Sequence, residues 1–213
     1  MGERMSKYRV KAIFGPTLQG EGSHVGTPVK FLRMTGCNRW SGLPEDKPSA
    51  MCHFCDTDFR GGDPLTAPQI LQRLDALGDV RVVVISGGEP TLQLDEELLA
   101  TLKSGGYSIH LETNGSNALG DLAALIDHVT CSPKQSRMET RLERCDDLKL
   151  LWPPIDRQIT PEAFSGFERK SSFLQPLWEP MGSRVNVDSA LVKLMSLGTW
   201  RLSLQTHKLL GVE

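Results

Sequence analysis

The sequence lacks long hydrophobic runs, a surplus of either charge, internal repeats and linker-like tracts. Its clearest aliphatic run, Val82 to Ile85 ("VVVI"), is far shorter than the roughly 20 apolar residues of a membrane-spanning helix. The amino-terminal "MGERMSKYRVKAIF" scatters charges where a signal peptide would carry an apolar core, so a cytoplasmic protein is expected. With 24 basic and 26 acidic residues, the net charge of −2 gives no reason to expect a nucleic-acid or membrane partner. No Gly/Ser/Pro linker divides the 213 residues, which are read as a single domain, 1–213.

What is present is an alternation of strand and helix patterns. "PVKFLRMTG", "DVRVVVIS", "YSIHLETNG", "HVTCSPK", "DLKLLWPP", "SSFLQPLW" and "WRLSLQTHK" read as strands. "TAPQILQRLDALG", with Thr66 as N-cap and Gly78 as stop, reads as a helix, as do "DEELLATLKSGG", "ALGDLAALID" and "VDSALVKLMSLG". No amphipathic helix separates "DLKLLWPP" from "SSFLQPLW". The pattern therefore predicts an α/β fold: a partial, open β/α barrel of about six mostly parallel strands, with fewer helices than a full barrel. "TGC", "SGGEP", "ETNG", "CSPK" and "QPLW" all end strands, where such sheets gather their functional groups.

Five cysteines without a secretory leader favour metal binding over disulfides. Three of them, Cys37, Cys52 and Cys55, lie in one loop at about 37–56, spaced C-x14-C-x2-C. Two readings fit. A histidine such as His53 could complete a tetrahedral zinc site in a non-catalytic binding module. Alternatively, three thiolates hold a [4Fe–4S] cluster and leave one iron open to a small-molecule ligand. Cys131, inside an apolar strand, reads as a core residue, and Cys145, in "RLERCDD", as a solvent-side one. "SGGEP" one strand downstream favours the cluster, because two glycines let a ligand approach exposed backbone groups.

The cysteine loop, "SGGEP", "ETNG" and "CSPK" resemble the radical S-adenosylmethionine enzymes. Most of these space their cysteines C-x3-C-x2-C; here the first interval carries the insert "NRWSGLPEDKPSAM". Adding "IFGPTLQGEGSHVGTPVKFLRMTGC", "CDT" and "SLQTHKLLGVE", the chain resembles the 7-carboxy-7-deazaguanine synthase family from Phe14 to Glu213. That resemblance implies a lyase contracting 6-carboxy-5,6,7,8-tetrahydropterin with release of ammonia, in queuosine and other 7-deazapurine biosynthesis. The radical derived from S-adenosylmethionine would take hydrogen from C6 of the pterin. It further implies Mg²⁺, an external electron donor such as flavodoxin or ferredoxin, and a homodimer. A glycyl-radical-enzyme activase is the nearest rival within the superfamily, although "LQGEG" would then lack a purpose.

By the same resemblance, Cys37, Cys52 and Cys55 ligate the cluster and Thr57 the Mg²⁺. Phe54, Cys55, Asp56, Gly88, Glu112, Asn114, Ser132, Pro133, Lys134, Gln175, Pro176, Leu177 and Trp178 contact the cofactor. Leu18, Gln19, Gly20, Glu21, Arg33, Ser86, His207 and the terminal Glu213 contact the substrate, Arg33 offering a fork to its carboxylate.

Overall fold

The computed structural model describes residues 7–178 and 183–212. Its strands are β1 (Tyr8–Leu18), β2 (Pro28–Met34), β3 (Asp63–Leu65), β4 (Val82–Gly87), β5 (Ser108–Thr113), β6 (His128–Cys131), β7 (Arg144–Trp152), β8 (Glu168–Pro176) and β9 (Arg201–Leu202). They form one sheet in the order β3-β1-β2-β4-β5-β6-β7-β8-β9. From β2 through β9 every neighbour is parallel, while β1 and β3 extend the β2 edge antiparallel. The sheet stays open, as expected.

Alternation along each strand separates two faces. Leu32, Met34, Val83, Ile85, Ile109, Leu111, Leu148 and Leu150 form an apolar core with Ile70 and Leu74 of α1 (Ala67–Asp75) and Leu98 and Leu102 of α2 (Glu96–Ser104). The residues between them, among them Arg33, His110, Glu112, Asp147 and Lys149, point to the other, polar face. α1 starts at Thr66, whose N–H donates to Gln69 Oε1 at 2.9 Å. It ends under Lys30, which is fully buried and donates from Nζ to the carbonyls of Leu74 (2.8 Å) and Gly78 (2.6 Å) and to the Tyr107 hydroxyl (3.0 Å). Burial pushes this ammonium down from its ordinary value.

Three readings need correction. "ALGDLAALID" forms only a 3₁₀ turn, Gly120–Leu125, because Gly120 at φ 52° and the Asp127 carboxylate, which accepts from the Ile109 N–H at 2.6 Å, fix both ends of a short crossover. "WRLSLQTHK" contributes the two-residue β9, after which the chain leaves the sheet and closes into α4 (Thr206–Leu210). Cys145 is buried: it lies on the core-facing side of β7, where polar sequence neighbours occupy other faces. Cys131 is a core residue as read. The last of the expected helices is present as α3 (Ser183–Leu194), which follows β8. No described helix is long and apolar enough to cross a membrane.

The floor of the polar face is built from histidines. His24, from the β1–β2 loop, lies with its ring centroid 4.4 Å from both His110 and His128, and those two are 5.2 Å apart. Burial, then the neighbouring His24 and His128, push His110 down from 6.5 to about 4. A histidine harder to protonate when folded favours the unfolded chain as pH drops, so its contribution is intact above 6.5 and is lost progressively toward 4. The melting temperature should therefore fall between these two values, by an amount equivalent to about 1–3 kcal/mol, and His110→Gln should flatten that slope.

Candidate active site

The carboxyl ends of the parallel strands enclose a cavity of about 400 Å³. Cys37, Cys52 and Cys55 line it together with Phe54, Asp56, Thr57, Gly88, Glu112, Asn114, Ser132 and Lys134. From the expected substrate set, Leu18, Gln19, Glu21, Arg33, Ser86 and His207 line it as well. Gly20, Pro133, Gln175, Pro176, Leu177 and Trp178 do not line it. Gly20 instead accepts through its carbonyl from Thr206 N–H and Oγ1, each at 3.0 Å, and Gln175 Oε1 accepts from Ser203 Oγ at 2.9 Å. Trp178 lies beside Lys208, whose Nζ is 5.3 Å from the indole ring. Glu213 falls outside the described residues.

Three segments that meet at close range position the sulfurs. A Cβ on Gly87 would lie 2.1 Å from the Met34 carbonyl oxygen, and one on Gly88 would lie 2.0 Å from that of Gly36 and 2.8 Å from Cys37 Cβ. The glycine pair thus lets the end of β4 seat directly against the exit of β2. Glu89 completes this junction. Its buried carboxylate accepts from Thr91 N–H (3.1 Å), Thr113 Oγ1 (2.7 Å) and Asn114 N–H (2.7 Å), and its own N–H donates to the Gly36 carbonyl at 2.9 Å. The glutamate of "SGGEP" therefore braces strand ends.

The insert is anchored at both sides of the loop. Asn38 accepts from Asn114 Nδ2 (3.0 Å) and donates to Ser116 Oγ (2.7 Å). After a 3₁₀ turn over Pro44–Ser49, Lys47 Nζ donates to the Cys55 carbonyl at 2.9 Å, and the Trp40 ring meets Phe59 edge-on at 5.5 Å.

The sulfurs suit an iron–sulfur cluster. Arg39 N–H donates to Cys37 Sγ at 3.4 Å and Thr57 N–H to Cys55 Sγ, contacts that stabilise thiolate ligands. Burial pushes Cys52 up to about 11 and raises Cys55, so a bound cation is what would hold these two sulfurs as thiolates. Mononuclear zinc fits less well. His53, the histidine that would complete a zinc site, is exposed, with its ring against Phe54. Lys134, lowered chiefly by burial and partly restored by facing Cys52, donates to Ser132 O and Oγ, both at 2.7 Å.

Glu21 and Glu112, both expected from the sequence and both in the cavity lining, are joined by Lys149, which the sequence reading missed. Lys149, in the middle of β7 and nearly inaccessible, pairs with Glu21 and donates to Glu112 Oε2 at 3.0 Å. Burial opposes ionisation of Glu21, but the charge and hydrogen bond of Lys149, with that of Gln205, bring it down to about 2. Burial, and then the charge of Glu21 against the pull of Lys149, leave Glu112 the weaker acid, raised above its ordinary value. The two carboxylates more than offset burial at Lys149 and raise its pKa. The only sequence signal was a lysine inside the otherwise apolar "LKLL".

The triad continues as a belt. Gln19 Nε2 donates to Glu112 at 3.3 Å, Gln205 Nε2 to Glu21 at 2.8 Å, and Lys208 links Gln205 Oε1 (3.0 Å) to Asp56 of the cysteine loop. Burial lowers His207, partly countered by Glu21. Arg33 lies over Phe14, 5.3 Å from its ring, and Phe14 stacks on Phe31 at 5.1 Å. The Arg33 Nε is buried without a protein partner. One wall is thus rich in acceptors, another offers a guanidinium with spare donors, and the third carries thiols.

Residues 48–164 match the family model described as Radical SAM superfamily. The 7-carboxy-7-deazaguanine synthase of Bradyrhizobium diazoefficiens is 40% identical to this chain, over 97% of it and 99% of the relative. That of Caulobacter vibrioides is 39% identical, over 96% and 99%. The crystal structure of QueE from Escherichia coli has the same fold, with a TM-score of 0.63 over 93% of each chain at 23% identity. With agreement along nearly its whole length, the chain belongs to the 7-carboxy-7-deazaguanine synthase family of the radical SAM superfamily.

Proposed function

We propose that this protein contracts 6-carboxy-5,6,7,8-tetrahydropterin to 7-carboxy-7-deazaguanine with release of ammonia. The observation that carries the reading is the meeting, in one cavity, of the three-thiol loop with Arg33 and with Glu21 and Glu112, which Lys149 pairs. When bound, a [4Fe–4S] cluster on Cys37, Cys52 and Cys55 and S-adenosylmethionine supply the one-electron chemistry and the hydrogen abstraction. The protein's share is positioning. Gln19 and Glu21 present acceptors to the N–H edge of the pterin ring, Glu112 beside them faces the cofactor, and Lys149 favours the ionised form of Glu21. Arg33 clamps the carboxylate at the other end. Phe14 and Phe31 exclude water from that side. Lys134, Ser132, Asn114 and Gly88 line the cofactor's side.

Thr57, on the cavity wall beside Asp56, would offer its hydroxyl to a Mg²⁺, which would supply charge stabilisation for the substrate there. An external one-electron donor would supply the cluster's electrons, and two copies would pair as a homodimer, in keeping with the exposed Val185, Val192 and Met195 on and beside α3.

The decisive test is anaerobic incubation of cluster-reconstituted protein with the pterin, S-adenosylmethionine, Mg²⁺ and a reductant, followed by mass spectrometry. Formation of 7-carboxy-7-deazaguanine without stoichiometric loss of S-adenosylmethionine is expected; 5′-deoxyadenosine alone would refute the pterin assignment.

Lys149→Met leaves two buried carboxylates facing each other, at a stability cost of about 3 kcal/mol. Both then ionise only at higher pH, so the acid limb of the kcat/KM profile should move upward and the pterin KM rise roughly tenfold or more. Thr57→Ala should raise the Mg²⁺ concentration for half-maximal turnover by roughly tenfold while leaving affinity for S-adenosylmethionine unchanged.

A further inference from the structure

The loop between β1 and β2 carries Gln19 and Glu21, yet it contains only a single 3₁₀ turn, Gly22–His24. Its base is closed by Gln19 N–H to the Thr27 carbonyl (2.9 Å) and Gly26 N–H to the Gln19 carbonyl (2.8 Å). Its tip dips onto the polar face of the sheet, where one side chain meets most of its polar groups. Asp147 of β7, 1% exposed, accepts from Ser23 N–H at Oδ2 (2.7 Å) and from Ser23 Oγ at Oδ1 (2.6 Å). His128 Nε2 lies 3.4 Å from the same Oδ2.

Neighbouring contacts reinforce this seat. Gly22 adopts φ 67°, and a Cβ there would approach Asp147 Oδ2 to 2.8 Å, so the turn can sit this close only as glycine. Gly22 N–H donates to Ser203 Oγ at 3.1 Å, and Arg201 donates to Ser23 Oγ at 3.2 Å. His24 fits between His110 and His128. Asp147 and Lys149 are two residues apart on one face of the same strand, so β7 grips the loop twice: Lys149 at the Glu21 side chain, Asp147 at the backbone one turn later.

A buried carboxylate that accepts both donors of one serine and does not line the cavity has a mechanical purpose. We propose that Asp147 is a positioning residue: by latching the Gly22–Ser23 turn it presets the Glu21 carboxylate for the pterin before substrate arrives. This inference rests on the reading of Glu21 as a pterin ligand. Preorganisation of this kind lowers the ordering cost of binding, so its loss appears in ground-state affinity.

The test uses cluster-reconstituted protein with S-adenosylmethionine bound, comparing wild type, Asp147→Asn and Ser23→Ala. Asp147→Asn keeps the shape but turns one acceptor into a donor; Ser23→Ala removes only the hydroxyl and leaves β7 untouched, so it reports even if the first variant folds poorly. Hydrogen exchange of the 21–24 amides without pterin should quicken in both variants. The Kd and KM for 6-carboxy-5,6,7,8-tetrahydropterin should rise roughly tenfold or more in Asp147→Asn and less in Ser23→Ala, with kcat and the Kd for S-adenosylmethionine nearly unchanged. Faster exchange with unaltered pterin affinity overturns the proposal, and so does a parallel loss of affinity for both ligands, the mark of general disorder. Wild type that binds no pterin but shows the same exchange pattern overturns the pterin reading of Glu21 and leaves the latch without a substrate to preset.

Discussion

The acceptor wall of the site is arranged around one buried cation. Lys149 is withdrawn from water between Glu21 and Glu112, residues 128 and 37 positions away in sequence. Burying three ionised groups gives little net stability, because desolvation consumes most of the Coulombic gain. What the arrangement does give is uniqueness: with any member removed, the others are stranded without water. The β1–β2 loop, β5 and β7 are therefore tied to one relative placement. The belt through Gln205, Lys208 and Asp56 carries the same constraint to the cysteine loop. One lysine holds two acids, so the wall keeps acceptor character facing the cavity.

A second junction, of neutral donors around Glu89, does for the thiol side what Lys149 does for the other. Its carboxylate collects donors from the end of β5 and from the turn that follows β4, and the two preceding glycines remove the side-chain bulk that would hold β4 away from β2. Catalytic architecture at the rim of a parallel sheet depends on strands ending at the same level, and here that level is set by a buried carboxylate and two missing side chains.

Much of this was legible in the sequence. Strand-ending motifs pointed to the rim, and the odd thiol set pointed to a ligand outside the chain. "TAPQILQRLDALG" held both its cap and its stop. Pairing partners far apart in sequence were not legible: nothing in "LKLL" announces Glu21, and nothing in "CDDLK" tells that Asp147 reaches back to Ser23. β1 escaped notice because its cationic residues and a Gly-Pro step interrupt the alternation, and β3 because three residues leave too little pattern. Cys145 was misassigned from its neighbours, since polarity along a strand says little about the side chain that turns inward.

The cysteine loop is pinned at two places, at Cys37 by the glycine junction and Asn38, and at Cys55 by Lys47 and the backbone of Thr57. Between pins, extra chain is cheap: each doubling of a flexible loop adds only about 0.6 kcal/mol of closure entropy. The distance in sequence from first to second thiol is thus a poor ruler for this chemistry. Such an interval can lengthen like slack in a rope tied at both ends, while the three sulfurs stay at the knots.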